Sequence, residues 1–159
     1  MKSTNYITFE FLSRSANEGF ARTAVACFAA QLDPTLDELG DIKTAVSEAV
    51  TNAIVHGYPD AVGMVHIHCL LEEDTVKITI SDNGCGILDV ALARTPLYTS
   101  AKTGERSGLG FTVMETFMDE ISVTSVPNEG TVVTMQKHIG NSSTSTIDVQ
   151  EKNILSVCM

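Results

Sequence analysis

The first residues that could do chemistry are Glu48 and Asn52, a carboxylate and a carboxamide four positions apart. On an α-helix this spacing places both side chains on one face, one turn apart. Asn52 could supply an oxygen ligand to Mg²⁺, whose other ligands would be phosphate and water oxygens. Glu48 could orient or deprotonate an attacking hydroxyl group. The alternative is that both residues are only the solvated face of an amphipathic helix.

A second stretch, Asp82-Asn83-Gly84-Cys85-Gly86, directly follows an alternating apolar run. A carboxylate at the end of a strand can accept a hydrogen bond from an exocyclic amine such as that of adenine. Gly84 and Gly86 would let the backbone approach a flat ring without interference from a Cβ atom. The alternative is that Asn83-Gly84 is an ordinary type I′ hairpin turn.

The third stretch, Ser107-Gly108-Leu109-Gly110-Phe111, is predicted to open a helix. Gly108 and Gly110 open this helix, where free N–H groups and the helix dipole favour phosphate. Arg106 could reach a terminal phosphate. Two glycines before a helix are a weak signal alone, and no GxxxxGK[ST] motif is present, so the chain is not a P-loop protein. The order and separation of the three stretches favour a common nucleotide site.

The elements that must position these stretches follow from hydrophobic periodicity, which predicts the order β-α-α-β-β-lid-α-β-β. Strands are predicted at 5–12, 65–71, 76–80, 121–125 and 131–137. We expect the helices to cover one face of a mostly antiparallel sheet, which is a two-layer α+β sandwich. Residues 87–107 lack a sustained period and are predicted to form a lid, since so long a loop in a compact domain is usually functional.

Two helices are predicted before the first glycine motif. Ser13 and Ser15 are N-cap candidates for the first helix, which should end near Leu32. Its predicted core stripe consists of Phe20, Val25, Phe28, Ala29 and Leu32. Thr35 and Glu38 have the spacing of a capping box for the second helix, which should end near His56, with Gly57 as its C-terminal cap.

Composition narrows the class of protein. The 159 residues are enough for one domain with a substantial core, and a formal net charge of −10 disfavours a nucleic-acid binder. Neither a signal peptide nor a run of about 20 apolar residues is found, so we expect a cytoplasmic protein that does not enter a membrane. The cysteines lack paired spacing, which disfavours a zinc site or a disulfide framework, and Cys27 and Cys69 are predicted core residues. His66 and His68 alternate on a strand and are predicted to lie on its exposed face rather than to bind metal.

The motif order ExxxNAxxH, DNGxG, lid, SGxG and then Gly130-Thr131 resembles the nucleotide-binding fold shared by gyrase, histidine kinases and MutL, the GHKL superfamily. The resemblance covers roughly residues 5–138. Residues 47–53 and 106–115 look most like the branch of bacterial anti-sigma factors that are also serine kinases. Phe117-Met118-Asp119 makes the chain most similar to members of that branch from sporulating bacteria. A domain at 1–138 would then be followed by a loose tail at 139–159.

The resemblance implies a role for each matching position. Glu48 would be the catalytic base, Asn52 the Mg²⁺ ligand and Asp82 the acceptor for the adenine amine. Further nucleotide contacts would come from Gly84, Gly86, Arg106, Gly108, Gly110 and Thr131. Arg22 matches a position at which the family contacts a protein partner, and His56 would only support the site.

The resemblance also implies the partners. The family is dimeric, binds ATP or ADP with Mg²⁺, holds a sigma factor while ATP is bound, and phosphorylates a serine of an anti-anti-sigma protein. For this chain the sigma factor would be of the sporulation, sigma F type, with the stress-response sigma B type as an alternative. A different class of function is a sigma-binding module that nucleotide switches without turnover. The catalytic half of a histidine kinase is disfavoured, since no upstream helix hairpin carries a phosphoacceptor histidine.

Overall fold

A single five-stranded antiparallel sheet organises the chain. The structure, a computed structural model, describes residues 4–96 and 109–140. The strands are β1 (Asn5–Leu12), β2 (Met64–Glu72), β3 (Thr75–Asp82), β4 (Glu120–Val126) and β5 (Gly130–His138). Their order across the sheet is β1-β2-β3-β5-β4, and every neighbouring pair is antiparallel. The predicted α+β class is confirmed.

Helices pack on one face of this sheet. They are α1 (Ala16–Ala29), α2 (Leu36–Asn52), α3 (Val90–Ala93) and α4 (Gly110–Phe117). A 3₁₀ turn, Ala30–Leu32, extends α1, and a π-helical turn, Ala53–Gly57, extends α2. α2 packs against both α1 and α4, so it is the central helix of the layer. The first two predicted helices are confirmed, with irregular last turns.

Alternation in the strands explains why the core lies on one side of the sheet. In β2 the apolar residues Val65, Ile67 and Cys69 are fully buried, whereas His66 and His68 lie on the opposite face. On that face His66 contacts Glu10 at 2.9 Å, and His68 contacts Thr8 at 2.9 Å. The buried position of Cys69 raises the pKa of its thiol to about 12, because a thiolate would be desolvated there.

The start of α2 follows the predicted capping box. The Glu38 backbone N–H donates to Thr35 Oγ1 at 3.1 Å, and the Thr35 N–H donates to Glu38 Oε2 at 2.8 Å. Burial acts to raise the pKa of Glu38, but hydrogen bonds from Thr35 and Gly140 and the charge of Lys137 outweigh it and lower that pKa. Local sequence therefore fixes where the central helix begins.

Two core predictions for α1 are wrong, and of its two N-cap candidates only Ser15 stands at the N-cap. Phe20 is 64 % exposed and meets the Phe9 ring edge-on at a centroid distance of 6.1 Å, and Cys27 is also exposed. Each lies one residue beside the buried stripe, and one residue is a rotation of about 100° on a helix. Ser15 stands at the N-cap without a side-chain hydrogen bond. Ser13 instead accepts from the Gly63 N–H at 2.9 Å, which ties the end of β1 to the start of β2.

The predicted lid is only partly described. Its first part contains the short helix α3, where Leu92 N–H donates to Asp89 Oδ1 at 3.0 Å, rather than loop alone. The remainder of the predicted lid, and residues 141–159 of the predicted tail, lie outside the described residues. Within the described ranges, no helix is long and apolar enough to cross a membrane.

Candidate functional site

The start of α4 lies directly against Glu48 and Asn52 of α2. A Cβ atom placed on Gly110 would lie 3.1 Å from Glu48 Oε2 and 3.2 Å from Asn52 Nδ2. Both side chains are partly exposed, so they remain open to a ligand. Glu48 and Asn52 thus lie beside the first residue of α4, as expected from the first and third of the predicted stretches.

Asp82 forms a second part of the site, at the end of β3. It is 7 % exposed, pairs with Val65 on one side and Thr131 on the other, and accepts a 2.9 Å hydrogen bond from the Gly84 N–H to Oδ1. Burial raises the pKa of its carboxyl group, against hydrogen bonds from the Gly84 and Thr131 backbones, which act to lower it. The result is a fixed acceptor at the edge of the helical layer.

The glycines around Asp82 are required by close backbone packing. A Cβ on Gly84 would lie 2.0 Å from the Gly57 carbonyl oxygen, and one on Gly130 would lie 2.0 Å from that of Asp82. Gly86 has φ +71°, and its Cβ would lie 2.3 Å from the Val126 carbonyl oxygen. We expected Gly84 and Gly86 to clear space for a flat ring, but in the described structure these positions abut the protein's own backbone.

The alternative of a type I′ hairpin at Asn83-Gly84 is wrong. Both neighbours of β3 are reached elsewhere, β2 through the preceding turn and β5 after α4 and β4. The Asn83 N–H instead donates to the Tyr58 hydroxyl at 2.8 Å, and that hydroxyl donates to the Met64 carbonyl at 2.8 Å. Tyr58 is a supporting residue that the sequence analysis missed, because its only signal was its place beside the helix-ending Gly57.

The π-helical turn after α2 joins the two parts of the site. Its last residue, Gly57, accepts from the Cys85 N–H at 2.9 Å, and the Cys85 thiol donates to the His56 carbonyl at 2.9 Å. A Cβ on Gly57 would lie 2.9 Å from Asp82 Oδ1. The loop that carries Asp82 is therefore fixed to the helix that carries Glu48 and Asn52.

Thr131 supports Asp82 from β5. Its side chain is buried and hydrogen-bonds Ser125 Oγ at 2.9 Å. Ser125 also donates to the Gly130 carbonyl at 3.0 Å and accepts from the Ile87 N–H at 2.7 Å. Ser125 is a second support that the sequence analysis did not identify, since a serine on a strand gave no local signal.

Arg22 lies on α1 and contacts Glu18 and Ser47. Its guanidinium donates to Glu18 at 2.8 and 2.9 Å and to Ser47 Oγ at 3.4 Å, and Ser47 Oγ also donates to Glu18. Ser47 directly precedes Glu48 in α2, but its side chain contacts α1. Of the remaining predicted residues, Arg106 and Gly108 lie outside the described ranges.

A metal would find few protein ligands here. Among residues 4–96 and 109–140 no three His, Cys, Asp or Glu side chains form a metal-binding cluster. The donors present are the Asn52 amide and the Glu48 carboxylate beside Gly110. This set fits Mg²⁺ held mainly by phosphate and water oxygens, which is its usual mode in phosphoryl-transfer sites.

Comparison with known proteins agrees with the observed fold. A family model, described as a histidine kinase-like ATPase domain, matches residues 11–137. In a crystal structure, the RsbU and RsbW domains of a Mycobacterium tuberculosis protein resemble this fold with a TM-score of 0.62 at 18% identity. That match covers 85% of this chain and 32% of the other. The structural similarity supports the fold, and the family model adds an ATPase domain, which implies nucleotide binding.

Sequence relatives make the assignment more specific. The chain is 53% identical over 141 residues to the anti-sigma F factor of Thermoanaerobacter sp. strain X514, covering 89% of this chain and 99% of the relative. It is 58% identical over 134 residues to that of Clostridium perfringens strain SM101, covering 84% and 96%. It is 55% identical over 139 residues to the anti-sigma F factor of Geobacillus kaustophilus, covering 87% of this chain and 95% of the relative. The chain therefore belongs to the anti-sigma F factors, within the histidine kinase-like ATPase domain family.

Proposed function

We propose that this anti-sigma factor is an ATP-dependent serine kinase that phosphorylates its anti-anti-sigma partner and, in its ATP-bound state, holds a sigma factor of the sigma F type. The observation that carries the proposal is the contact of Gly110 with both Glu48 and Asn52. It brings a candidate base and a candidate metal ligand to the N-terminus of a helix. That is where phosphates are favoured.

Adenine recognition is assigned to Asp82. An ionised carboxylate is acceptor-only and suits the exocyclic amine of adenine, whereas guanine offers a carbonyl at the corresponding position. The Gly84 N–H fixes Oδ1, and Gly57 packs against the same carboxylate. Thr131 supports this carboxylate from the neighbouring strand. A fixed and partly desolvated acceptor contributes more to specificity than a mobile surface one.

The phosphates are assigned to the start of α4, with Gly108, Gly110 and Arg106 as further binding residues. Asn52 would be the protein ligand of Mg²⁺, which when bound would neutralise charge on the phosphates. Gly86 has φ +71°. It would maintain the conformation of the loop beside Asp82 rather than leave open space against the adenine ring.

Glu48 is assigned as the base. It would accept the proton from the partner's serine hydroxyl as that oxygen forms a bond to the γ-phosphorus of ATP. The bond between the γ-phosphorus and the β,γ-bridging oxygen breaks, and ADP leaves with that electron pair. A pure nucleotide switch would need no base beside the phosphate site. The position of Glu48 therefore favours the kinase over the switch.

The partners follow from the family. The named relatives are anti-sigma F factors, which implies a sigma factor as partner. We propose that the protein acts in the cytoplasm. We propose a homodimer, with Arg22 contacting a protein partner. Its ion pair with Glu18 is partly exposed and could be exchanged for a contact with that partner. The kinase domain would comprise residues 1–138, leaving 139–159 as a tail.

The test is transfer of label from γ-labelled ATP with Mg²⁺ to the anti-anti-sigma protein of the same organism. Glu48→Gln should retain ATP binding and lose transfer, since an amide cannot accept the proton. Glu72→Gln, on the exposed end of β2, is a matched control and should transfer as the wild type does. Equal transfer by Glu48→Gln would remove Glu48 from the base role. Tight ATP binding without transfer by the wild type would favour the switch.

A further inference from the structure

Lys137 on β5 is the only buried lysine or arginine within the described ranges. Its Nζ donates to the carbonyl oxygen of Phe117 at 2.8 Å and lies 3.2 Å from Asp41 Oδ2. Phe117 is the last residue of α4, and Asp41 lies in the first half of α2. A strand lysine thus joins two helices from beneath, at the end of α4 remote from Gly110.

The two ends of α4 match two positions on α2. Its first residue meets Glu48 and Asn52, and its last is bridged by Lys137 to Asp41, so α4 runs antiparallel to α2. Gly110 and Phe117 are seven residues apart, as are Asp41 and Glu48, and seven helical residues span about 10 Å. A shift of α4 along its axis would therefore alter both contacts together.

Just beyond α4, the Asp119 N–H donates to the Gln136 carbonyl at 2.9 Å, and Asp119 Oδ2 accepts from the His138 N–H at 2.6 Å. These bonds hold the chain after α4 to β5, whereas the Lys137 contacts also link the end of α4 to α2.

Phe111 and Met114 are buried beneath α4, but apolar contacts are not directional. Leu109, at its N-cap, makes no side-chain capping bond. Arg94, within the predicted lid, donates to Glu115 at 2.6 Å, but both side chains are partly exposed and solvent weakens the pair. The Lys137 bond is buried, charge-assisted and placed at the negative end of the helix dipole.

We propose that Lys137 is a positioning residue for the phosphate half of the site. By fixing the C-terminus of α4 against α2, it sets the distance from the start of α4 to Glu48 and Asn52. Its hydrogen bond and its ion pair are with Phe117 and Asp41, neither of which is assigned to nucleotide. The inference rests on the proposed nucleotide site and adds a residue through which that site is held in shape.

Binding of the adenine ring serves as an internal control for binding of the phosphates. Thr131 pairs with Asp82, and Lys137 follows Thr131 by six residues on the same strand. At about 3.3 Å per residue the two positions are about 20 Å apart. Loss of the Lys137 bonds should therefore disturb binding of the phosphates and leave binding of the adenine ring nearly unchanged.

The experiment compares the dissociation constants of Mg²⁺-ATP and of adenosine, by calorimetry and by NMR titration. Lys137→Met keeps the apolar stem and removes the donor and the charge. We expect ATP affinity to fall about tenfold and adenosine affinity to stay within about twofold, since small displacements of binding groups have large effects. Lys137→Arg should restore most of the ATP affinity, because a guanidinium can donate to both the carbonyl and the carboxylate. Lys77→Met, on the exposed face of β3, is the matched control and should change neither constant.

Several results would overturn the inference. Unchanged ATP affinity in folded Lys137→Met would do so, and so would equal losses for ATP and adenosine, which would indicate general loosening. If Lys137→Met does not fold, Asp41→Asn decides, since Asp41 is partly exposed. That variant should lose at least about threefold in ATP affinity and nothing in adenosine affinity, since the threefold loss corresponds to only part of the free energy of a charge-assisted hydrogen bond. An unchanged ATP affinity would refute the positioning role. A wild type that binds neither ligand would instead refute the nucleotide site itself.

Discussion

Replacing Gly110 by alanine tests the effect of the Gly110 contact on phosphotransfer separately from its effect on the stability of the fold. The new Cβ would lie 3.1 Å from Glu48 Oε2 and 3.2 Å from Asn52 Nδ2, closer than the ordinary contact range of 3.4–4 Å. Both neighbours are the ends of flexible side chains, so they can yield by a few tenths of an ångström without moving backbone. The substitution should therefore displace the two groups assigned to chemistry and leave the fold intact.

The two effects can be given magnitudes. Alanine in place of glycine in a helix gains about 0.5–1 kcal/mol, chiefly by restricting the unfolded chain. The close contacts of the new Cβ atom should offset that gain, so we expect the free energy of unfolding to stay within about 1 kcal/mol of wild type. Catalytic groups must hold their positions to within about 0.5 Å. We therefore expect kcat for phosphotransfer to fall about tenfold or more, which is at least about 1.4 kcal/mol of activation free energy.

Gly40→Ala provides the matched control. Gly40 lies within α2, and a Cβ there would meet nothing within 4 Å, so this variant should show the gain in stability without loss of transfer. Urea denaturation measures the first quantity, and transfer of label from γ-labelled ATP to the anti-anti-sigma protein measures the second. If Gly110→Ala transfers phosphate at the wild-type rate, the contact with Glu48 and Asn52 does not set the chemistry. If it is destabilised by several kcal/mol, the side chains cannot yield as the geometry suggests.

Three further predictions concern stability. Gly130→Ala would place a Cβ 2.0 Å from the Asp82 carbonyl oxygen at φ +126°, so it should lose more than about 2 kcal/mol in urea denaturation; wild-type stability would contradict the close approach. Thr35→Ala removes one half of the capping box and should cost about 1 kcal/mol, and an unchanged thermal melt would mean that the cap adds nothing. The pKa of Asp82 is raised above its ordinary 3.8, so the proton is bound more tightly in the folded state. The stability of wild type relative to Asp82→Asn should therefore increase as pH falls from 7 through the raised pKa and be fully gained below 3.8; a difference that is flat or falls with acid would refute the shift.

Elements with a strong local signal were predicted well. Alternation gave β2 and β3, and the spacing of Thr35 and Glu38 gave the first turn of α2. The failures lie where the signal depends on a rotation of one residue. Phe20 and Cys27 are apolar residues beside the buried stripe, and hydrophobicity alone does not exclude them from the core. A large apolar residue left outside the core marks the margin of a helix face.

The site was predicted by residue type better than by geometry. Glu48, Asn52 and Gly110 come together as two separate stretches suggested. The reason for Gly84 differs from the predicted one, and the need for Gly130 was not predicted, because the contacts that demand these glycines, with Gly57 and Asp82, join positions distant in sequence. No local pattern reveals a backbone crossing of this kind. Tyr58 and Ser125 were missed for the same reason.

The π-helical turn at Ala53–Gly57 explains how one helix serves both parts of the site. On a continuous α-helix, Glu48, Asn52 and His56 would form one slowly drifting stripe. A π turn carries one more residue than an α-helical turn, which rotates everything beyond Asn52 relative to that stripe. The side chains of Glu48 and Asn52 consequently contact the start of α4, whereas the backbone of Gly57 contacts Asp82 and Gly84. The extra residue turns a single helix into the joint between the assigned phosphate and adenine halves, and this accounts for an irregular turn in the middle of a motif whose spacing looks regular.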